Sequence, residues 1–487
     1  MGYAVLIKLV TRLSALGLLT YCSSVNAASS TPLSDSASNY TCNPQCVSRG
    51  PNGRVAVSAQ LLQSRFKTDV EAVQSTDVAP LSLRQGLYLW QAVQAAVSAY
   101  PSIRSAVATL SQQGSGVDAA RAGYYPSVKA GINSGRHGNM GNGQVLSVNA
   151  EQMLYDFGKV SSSVSYAEAS TERQLAKVLA TMDDVARQTS QAVVEVHRYQ
   201  LQEVAAKRQI AALEDLLKVA RVRAQGGAST QADPVQASSR LDAAQSTLQA
   251  VQTQLRQWRS KLKTLVRQPL PERIGNLPAR ELQQAVSAFV PQLRDVPQLQ
   301  VAQLELLMAK AQLERAKAAQ LPTVSVSAGV DQYLGGLRGQ KDDHDYNLTL
   351  NVSNSLFEGG ALRAQERAAQ YGITSAEENI QTLHLEIEDK WQSVTEQIDG
   401  IEARLPLLAA RQSSIIETRR LYREQYLSLG TRTLLDLLNS EQEIFQAELE
   451  QQNALHDLLQ ARLDYLQATG RMRDVFRLST QMTAGVN

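Results

Sequence analysis

The sequence is short of the residues from which compact enzymes are usually built. Aromatics make up only 5% of the chain, and there are five histidines in 487 residues. That is little bulk for a conventional globular core, whereas long alanine-lined helices need none. No Gly-x-x-x-x-Gly-Lys-Ser/Thr loop, His-Glu-x-x-His or Gly-x-Ser-x-Gly occurs. The common signatures of nucleotide hydrolysis, zinc proteolysis and serine-nucleophile hydrolysis are therefore missing. His137, His197, His344, His384 and His456 are scattered and read singly as solvated surface residues. No catalytic residue, cofactor or metal is expected. Charge of one sign is lacking too: Lys+Arg 48 against Asp+Glu 46 leaves +2, no field for nucleic acid. Beyond Ala27 no charge-free apolar run approaches the ~20 residues of a membrane-spanning helix. A membrane role would have to come through strands.

The N-terminus carries an export signal. Lys8 and Arg12 precede the apolar stretch Leu13 to Thr20, and Val25-Asn26-Ala27 fits the small-x-Ala cleavage pattern, so residues 1–27 read as a signal peptide. A lipoprotein cleavage before Cys22 is the alternative, with Tyr21 a poor fit. Residues 28–78, rich in Ser, Asn and Gln, read as a poorly ordered leader. Cys42 and Cys46 lie there in Cys-Asn-Pro-Gln-Cys, and an oxidising compartment makes a local disulfide the plausible reading.

Beyond the leader the chain is duplicated. Tyr100-Pro101 answers Val296-Pro297, and Pro126 answers Pro322, both at an offset of 196. Leu154-Tyr155-Asp156-Phe157-Gly158 answers Leu356-Phe357-Glu358-Gly359-Gly360 at 202, and Gly227 through Asp233 answers Gly430 through Asp436 at 203. The offset changes mainly in Gly-rich loops, where insertions are tolerated. Two copies of one unit stand in tandem: 79–268 and 298–475, joined by a connector at 269–297 and succeeded by a tail at 476–487.

Each unit mixes two periodicities. Strict alternation marks half-buried strands. Val324, Val326, Ala328 and Val330 alternate with Thr323, Ser325, Ser327 and Asp331, and Tyr346, Leu348, Leu350, Val352 and Leu356 alternate with polar partners. The first unit does this more weakly around Val128–Ile132 and Leu146–Leu154. Four strands, apolar out and polar in, meet the requirement of a membrane barrel, with Val324, Val326, Val330, Leu348, Leu350 and Val352 on the lipid face. The second period is helical. Ile373, Ala376, Ile380, Leu383, Ile387, Trp391, Val394, Ile398, Ile401, Leu405 and Leu408 step by three and four, a coiled-coil seam. Helices from Gly158 to about Gln225 and from Gly360 to about Ser428 would each run roughly 100 Å. Pro406 lies inside the second, as a gating bend or a tolerated kink near Glu402.

Hairpin, very long helix, Gly-turn and shorter helix, all twice, resemble the TolC family of outer-membrane efflux and secretion proteins. Gly430–Leu438 and Leu154–Gly158 carry the likeness, which spans about Leu81 to Met472. The resemblance implies a mixed α+β membrane protein, in which a homotrimer pools four strands per chain into one twelve-stranded outer-membrane barrel. A coiled-coil periplasmic tunnel continues it, with the connector in an equatorial belt. It implies a periplasmic gate in which Arg432 faces Asp233, Asp436 belongs to an acidic entrance ring, Asn439 stands where a second ring aspartate is common, and Leu427 occupies the position of a gate tyrosine, next to Tyr426. For Asp233 and Asp436 the plainer reading is a carboxylate in a helix first turn. Implied partners are outer-membrane lipid, a periplasmic adaptor and an inner-membrane transporter. Thr433–Glu443 resembles the type I secretion branch, with unfolded protein as cargo; small-molecule efflux is the alternative. A periplasmic coiled-coil scaffold would explain the helices but not the hairpins.

Overall fold

In the computed structural model the described residues are 87–136, 142–287, 295–334 and 344–478. The signal, the leader with Cys42 and Cys46, the hairpin tips, 288–294 and the end of the tail lie outside them.

The two units fold alike. The first runs α1 (Leu89–Ala99), α2 (Pro101–Arg121), a 3-10 turn, strands β1 (Ser127–Arg136) and β2 (Asn142–Tyr155), then α3 (Lys159–Gln225) and α4 (Ala232–Val266). After α5 (Ala279–Ser287) the second runs α6 (Pro297–Ala318), β3 (Thr323–Leu334), β4 (His344–Ser353), α7 (Ala361–Glu424), a π turn (Gln425–Leu429), α8 (Leu434–Ala468) and the short α9 (Met472–Val475). Pro101 and Pro297 begin α2 and α6, where the missing N–H costs nothing. The strand-to-helix corners explain the Leu154–Gly158 likeness. Phe157 and Gly158 are both left-handed, as are Gly359 and Gly360 in the second unit. Asp156 accepts from the amides of Gly158 at 2.9 Å and Val160 at 2.5 Å, which caps α3. At ~1.5 Å per residue α3, with 67 residues, is about 100 Å long. Pro406 does not end α7, which continues through it to Glu424.

The strands form one antiparallel sheet in the order β1-β2-β3-β4. Register places Val128, Ala150, Ala328 and Leu348 in one row and Ala130, Val148, Val330 and Tyr346 in another. Val324, Val326, Leu350 and Val352 share that face. It is bare in the single chain: Leu348 is 76% and Leu350 67% exposed. The other face is polar and bonds to itself. Ser327 and Thr349 hydroxyls stand 2.7 Å apart, and Ser325 donates to Glu151 at 3.1 Å. Gly329 lies under Asn149 and Asn347, whose amides occupy the space a Cβ would need.

The helices form rows. In the upper row α2 packs on α3, α3 on α6 and α6 on α7; in the lower, α4 on α3, α3 on α8 and α8 on α7. Buried apolar residues gather at mid-height, where α1, α3, the end of α4, α5, α7, α8 and α9 share one cluster, and at the tip. The seam expected on α7 is its protected face, yet only Val394, Ile398 and Leu408 are buried outright. Among the described residues no helix is long and apolar enough to cross a membrane.

Two histidines correct the sequence reading. His456 is buried, 3% exposed, and its ring nitrogen lies 2.9 Å from that of the half-buried His197. His456 Nδ1 is 2.6 Å from the Gln452 carbonyl, so a neutral ring donates there and accepts from His197. Helical spacing could not show this contact, which joins α3 to α8 across 259 residues of chain.

Substitution should reveal both the sheet's two faces and the buried histidine. Arginine at Leu350, on the face expected to meet lipid, should cost about 2–4 kcal/mol near the midplane, and arginine at Thr349 on the opposite face much less; yield of heat-resistant assembly in outer membranes measures both. Burial pushes the pKa of His456 down to about 4, against ~6.5 in an unfolded chain. Its contribution to stability is therefore full above that unfolded value and is lost as pH falls towards 4. Asp183, pushed up to about 7 by burial despite Arg473 Nε at 3.3 Å, acts with the opposite sign. The histidine's effect is therefore isolated by a variant: from pH 7 to 4.5 the wild type should lose more thermal stability than His456→Gln.

Candidate functional site: the tip of the helical hairpins

The two Gly-turns lie at the end of the hairpins opposite the sheet, where α3 gives way to α4 and α7 to α8. Gly227 and Gly430 both take positive φ there, +71° and +65°. The leucines of the Gly430–Leu438 segment explain its apolar character. Leu434, Leu437 and Leu438 are buried with Leu213, Leu216, Leu217 and Ala220 in the tip cluster.

The acidic residue six positions past each glycine has a local cause. Thr433 accepts from the Asp436 amide at 3.2 Å, and Asp436 accepts from the Thr433 amide at 3.1 Å, a closed capping box. Thr230 and Asp233, the equivalent pair, are joined at 3.2 Å. The Thr433 amide, then its hydroxyl, then the charge of Arg432 hold the Asp436 carboxyl below its usual value. Asp436 thus keeps its negative charge while turned back onto its own helix.

Arg432 is satisfied on its own turn. Its guanidinium lies 4.3 Å from the centre of the Tyr422 ring, Nε donates to Gln425 at 3.1 Å, and Nη1 is 4.0 Å from Asp436. Asp233 and Arg432 therefore do not meet within one chain. Asn439 accepts from Arg240 of α4 at 3.4 Å.

Sequence reasoning missed the central contact. Tyr426 is 3% exposed, with the Arg223 guanidinium 4.6 Å from its ring centre and Arg223 Nη1 donating to its carbonyl at 3.2 Å. Burial, with the nearby Asp233 charge, raises the Tyr426 pKa against the lowering effect of Arg223. Its hydroxyl has no hydrogen-bond partner among the described residues. The π turn Gln425–Leu429 contains Tyr426 and leaves Leu427 48% and Leu429 68% exposed. Such turns insert one residue into a helix and are frequent at functional sites. A signal was present in the repeat: Arg223 and Tyr426 stand 203 residues apart, the offset of the Gly-turns themselves.

An open sheet with one apolar and one polar face, and long helices leaving one end of it, has the parts of a barrel and tunnel shared between copies, and comparison with known proteins agrees. The model of the family described as outer membrane efflux protein matches residues 92–266 and 292–471. Outer membrane efflux protein BepC of Brucella suis is 24% identical over 398 residues, covering 78% of this chain and 85% of that protein. Outer membrane protein TolC of Escherichia coli strain K12 is 26% identical over 204 residues, 38% of this chain and 40% of that protein. The solved outer membrane protein VceC of Vibrio cholerae superposes with a TM-score of 0.68 at 17% identity, covering 78% of this chain and 96% of that one. The fold is that of TolC-like trimeric outer-membrane channels, a barrel continued by a helical tunnel into the periplasm. The chain belongs to the outer membrane efflux protein family.

Proposed function

We propose that this outer-membrane efflux channel serves type I secretion, passing an unfolded polypeptide delivered by an ATP-driven inner-membrane transporter through a periplasmic adaptor. The observation that carries the reading is Thr433–Glu443, which resembles the secretion branch and forms the capped first turns of α8 at the tip. Small-molecule efflux is the second reading, favoured by the name of the Brucella suis relative. The family and fold are those of channel proteins, so cargo is driven from elsewhere and the chain supplies a path and a gate.

The tip is the gate in this proposal. Arg432 and Asp233 lie beside different coils and are left to meet across neighbouring hairpins. One exposed ion pair contributes only about 0–1 kcal/mol; repeated around a closed ring, such pairs give a modest bias that an adaptor can overcome. Arg223 and Tyr426 hold the two coils of one chain together behind it. Leu427 and Leu429, turned out by the π turn, supply apolar contact towards the opening.

Three outcomes are expected. Arg432→Ser and Asp233→Ala should each raise single-channel conductance in planar bilayers. Asp436→Ala should reduce cation preference and open the capping box with Thr433; conductance unchanged from wild type in both Arg432→Ser and Asp233→Ala would leave those two as ordinary helix-end residues. Deletion of the gene should abolish export of a large secreted protein more severely than it sensitises cells to dyes and drugs, and the reverse pattern would establish small-molecule efflux.

A further inference from the structure

The duplication makes two junctions that ought to be alike and are not. In the second unit α8 ends beside the start of α6. Gly470, with φ +71°, packs so closely that a Cβ would lie 2.6 Å from the Asp295 carbonyl oxygen. Arg473 donates to that carbonyl at 3.2 Å, and Arg471 Nη2 lies 3.8 Å from the Asp295 carboxylate. In the first unit, at the same offset of 203, the residue in the left-handed conformation is Arg267, and the counterpart of Asp295 at the offset of 196 is Ala99. The side chain keeps the junction from closing, and the carboxylate is gone. What remains is a cleft of about 740 Å³ between the start of α2 and the end of α4, lined by Tyr100, Ser102, Ser260, Lys263, Thr264 and Arg267. Among the described residues no ion pair engages Lys263 or Arg267.

Topology says what passes over this cleft. Both helix rows end on α7 at one side, and at the other on α2 above and α4 below. The sheet ends correspondingly on β4, which leads into α7, and on β1, which comes after α2. Closing a ring of identical chains joins unlike ends, so α7 of one copy runs along the α2–α4 column of the next. Cyclic symmetry preserves height along the axis. Gln252 of α4 donates to Glu203 of α3 at 3.0 Å, so Lys263, eleven residues further along the antiparallel α4, lies level with about residue 192 of α3, whose counterpart in α7 at the offset of 203 is residue 395. The α7 segment around 394–398 therefore reaches the neighbour's cleft.

That segment has the complementary chemistry on its free side. Tyr371, Leu385, Leu407 and Leu421 are exposed large apolar residues spaced 14, 22 and 14 apart, a second helical seam opposite the one that faces its own chain. Midway between Leu385 and Leu407, eleven residues from each, stands Glu396, exposed, with Asp399 one turn on. No ion pair engages either carboxylate among the described residues. A carboxylate placed in an apolar seam against a neighbour fixes register where apolar contacts alone would allow sliding.

We propose that the basic cleft of Lys263 and Arg267 is the receptor for Glu396 and Asp399 on α7 of the adjacent copy, and that this contact sets the axial register of assembly. It supplies from the next chain the carboxylate that Asp295 supplies within the second unit. The inference rests on ring closure and is independent of cargo and of the gate.

The test uses the full-length protein with Cys42→Ser and Cys46→Ser, extracted from outer membranes. Lys263→Cys with Glu396→Cys should give covalent dimers and trimers on mild oxidation. Lys263→Cys with Gln397→Cys, turned about a quarter of the way around the helix, should give none. Intact trimers without the first cross-links, or a link from Lys263→Cys to a different protein, would overturn the proposal. Lys263→Glu with Arg267→Glu should shorten the trimer's half-life on heating by about an order of magnitude, as like charges meet, and adding Glu396→Lys with Asp399→Lys should restore it. An unchanged half-life, or failure of the second pair to restore assembly where the first abolished it, would also overturn the proposal.

Discussion

Two open strand edges govern this molecule. β1 and β4 each pair on one side only, and an unpaired edge in hydrocarbon leaves a line of amides and carbonyls with no partner. Four strands of 10 to 14 residues are too few to bend round and close on themselves. Edge satisfaction must come from further copies of the chain. Because α2 feeds β1 and α7 leaves β4, the same open ends are carried down the length of the tunnel. The thin burial of α7 is thus the helical expression of an unpaired strand.

Duplication supplies the frame, and divergence within it supplies function. The paired corners Phe157–Gly158 and Gly359–Gly360 differ in sequence but share the same left-handed backbone, so they keep hairpin and helix in the same relation in both units. At the tip, equivalent positions hold Arg223 and Tyr426, whose contact of a cation over a ring needs two different residues. At the ends of α4 and α8, equivalent left-handed positions hold Arg267 and Gly470, and only the glycine can pack against the Asp295 backbone. In each case two halves that are alike in backbone become complementary in side chain.

Much of this architecture is legible in the chain because its determinants are periodic or local. The seam from Ile373 to Leu408 is the protected side of α7, and the ends expected for α3 and α7 fall within a few residues of those found. The expected strand alternation becomes the two faces of the sheet. What escapes is long-range or aperiodic. The His197–His456 contact joins residues 259 apart and leaves no trace in either helix's pattern. The π turn at Gln425–Leu429 inserts one residue, and no propensity distinguishes it from the α-helix before it. Within that turn Tyr426 is 3% exposed and its neighbour Leu427 48%. For Asp436 the family resemblance implies an entrance charge and its position implies a carboxylate in a helix first turn; the second was legible locally and is what the capping box with Thr433 displays. The helix Ala279–Ser287 inside the connector was likewise invisible among flanking prolines.

The one-sided burial of α7 also bears on inheritance. A chain that keeps one good edge and spoils the other can still enter a ring, and one spoiled seam leaves that ring open. In a cell making normal and defective chains equally, about one ring in eight would be wholly normal if three copies assemble at random. Alleles that damage α7 should therefore be dominant over the wild type, whereas alleles that prevent the chain from folding at all should be recessive, since an unfolded chain never enters a ring. The free face of a single helix thus separates two genetic classes of loss.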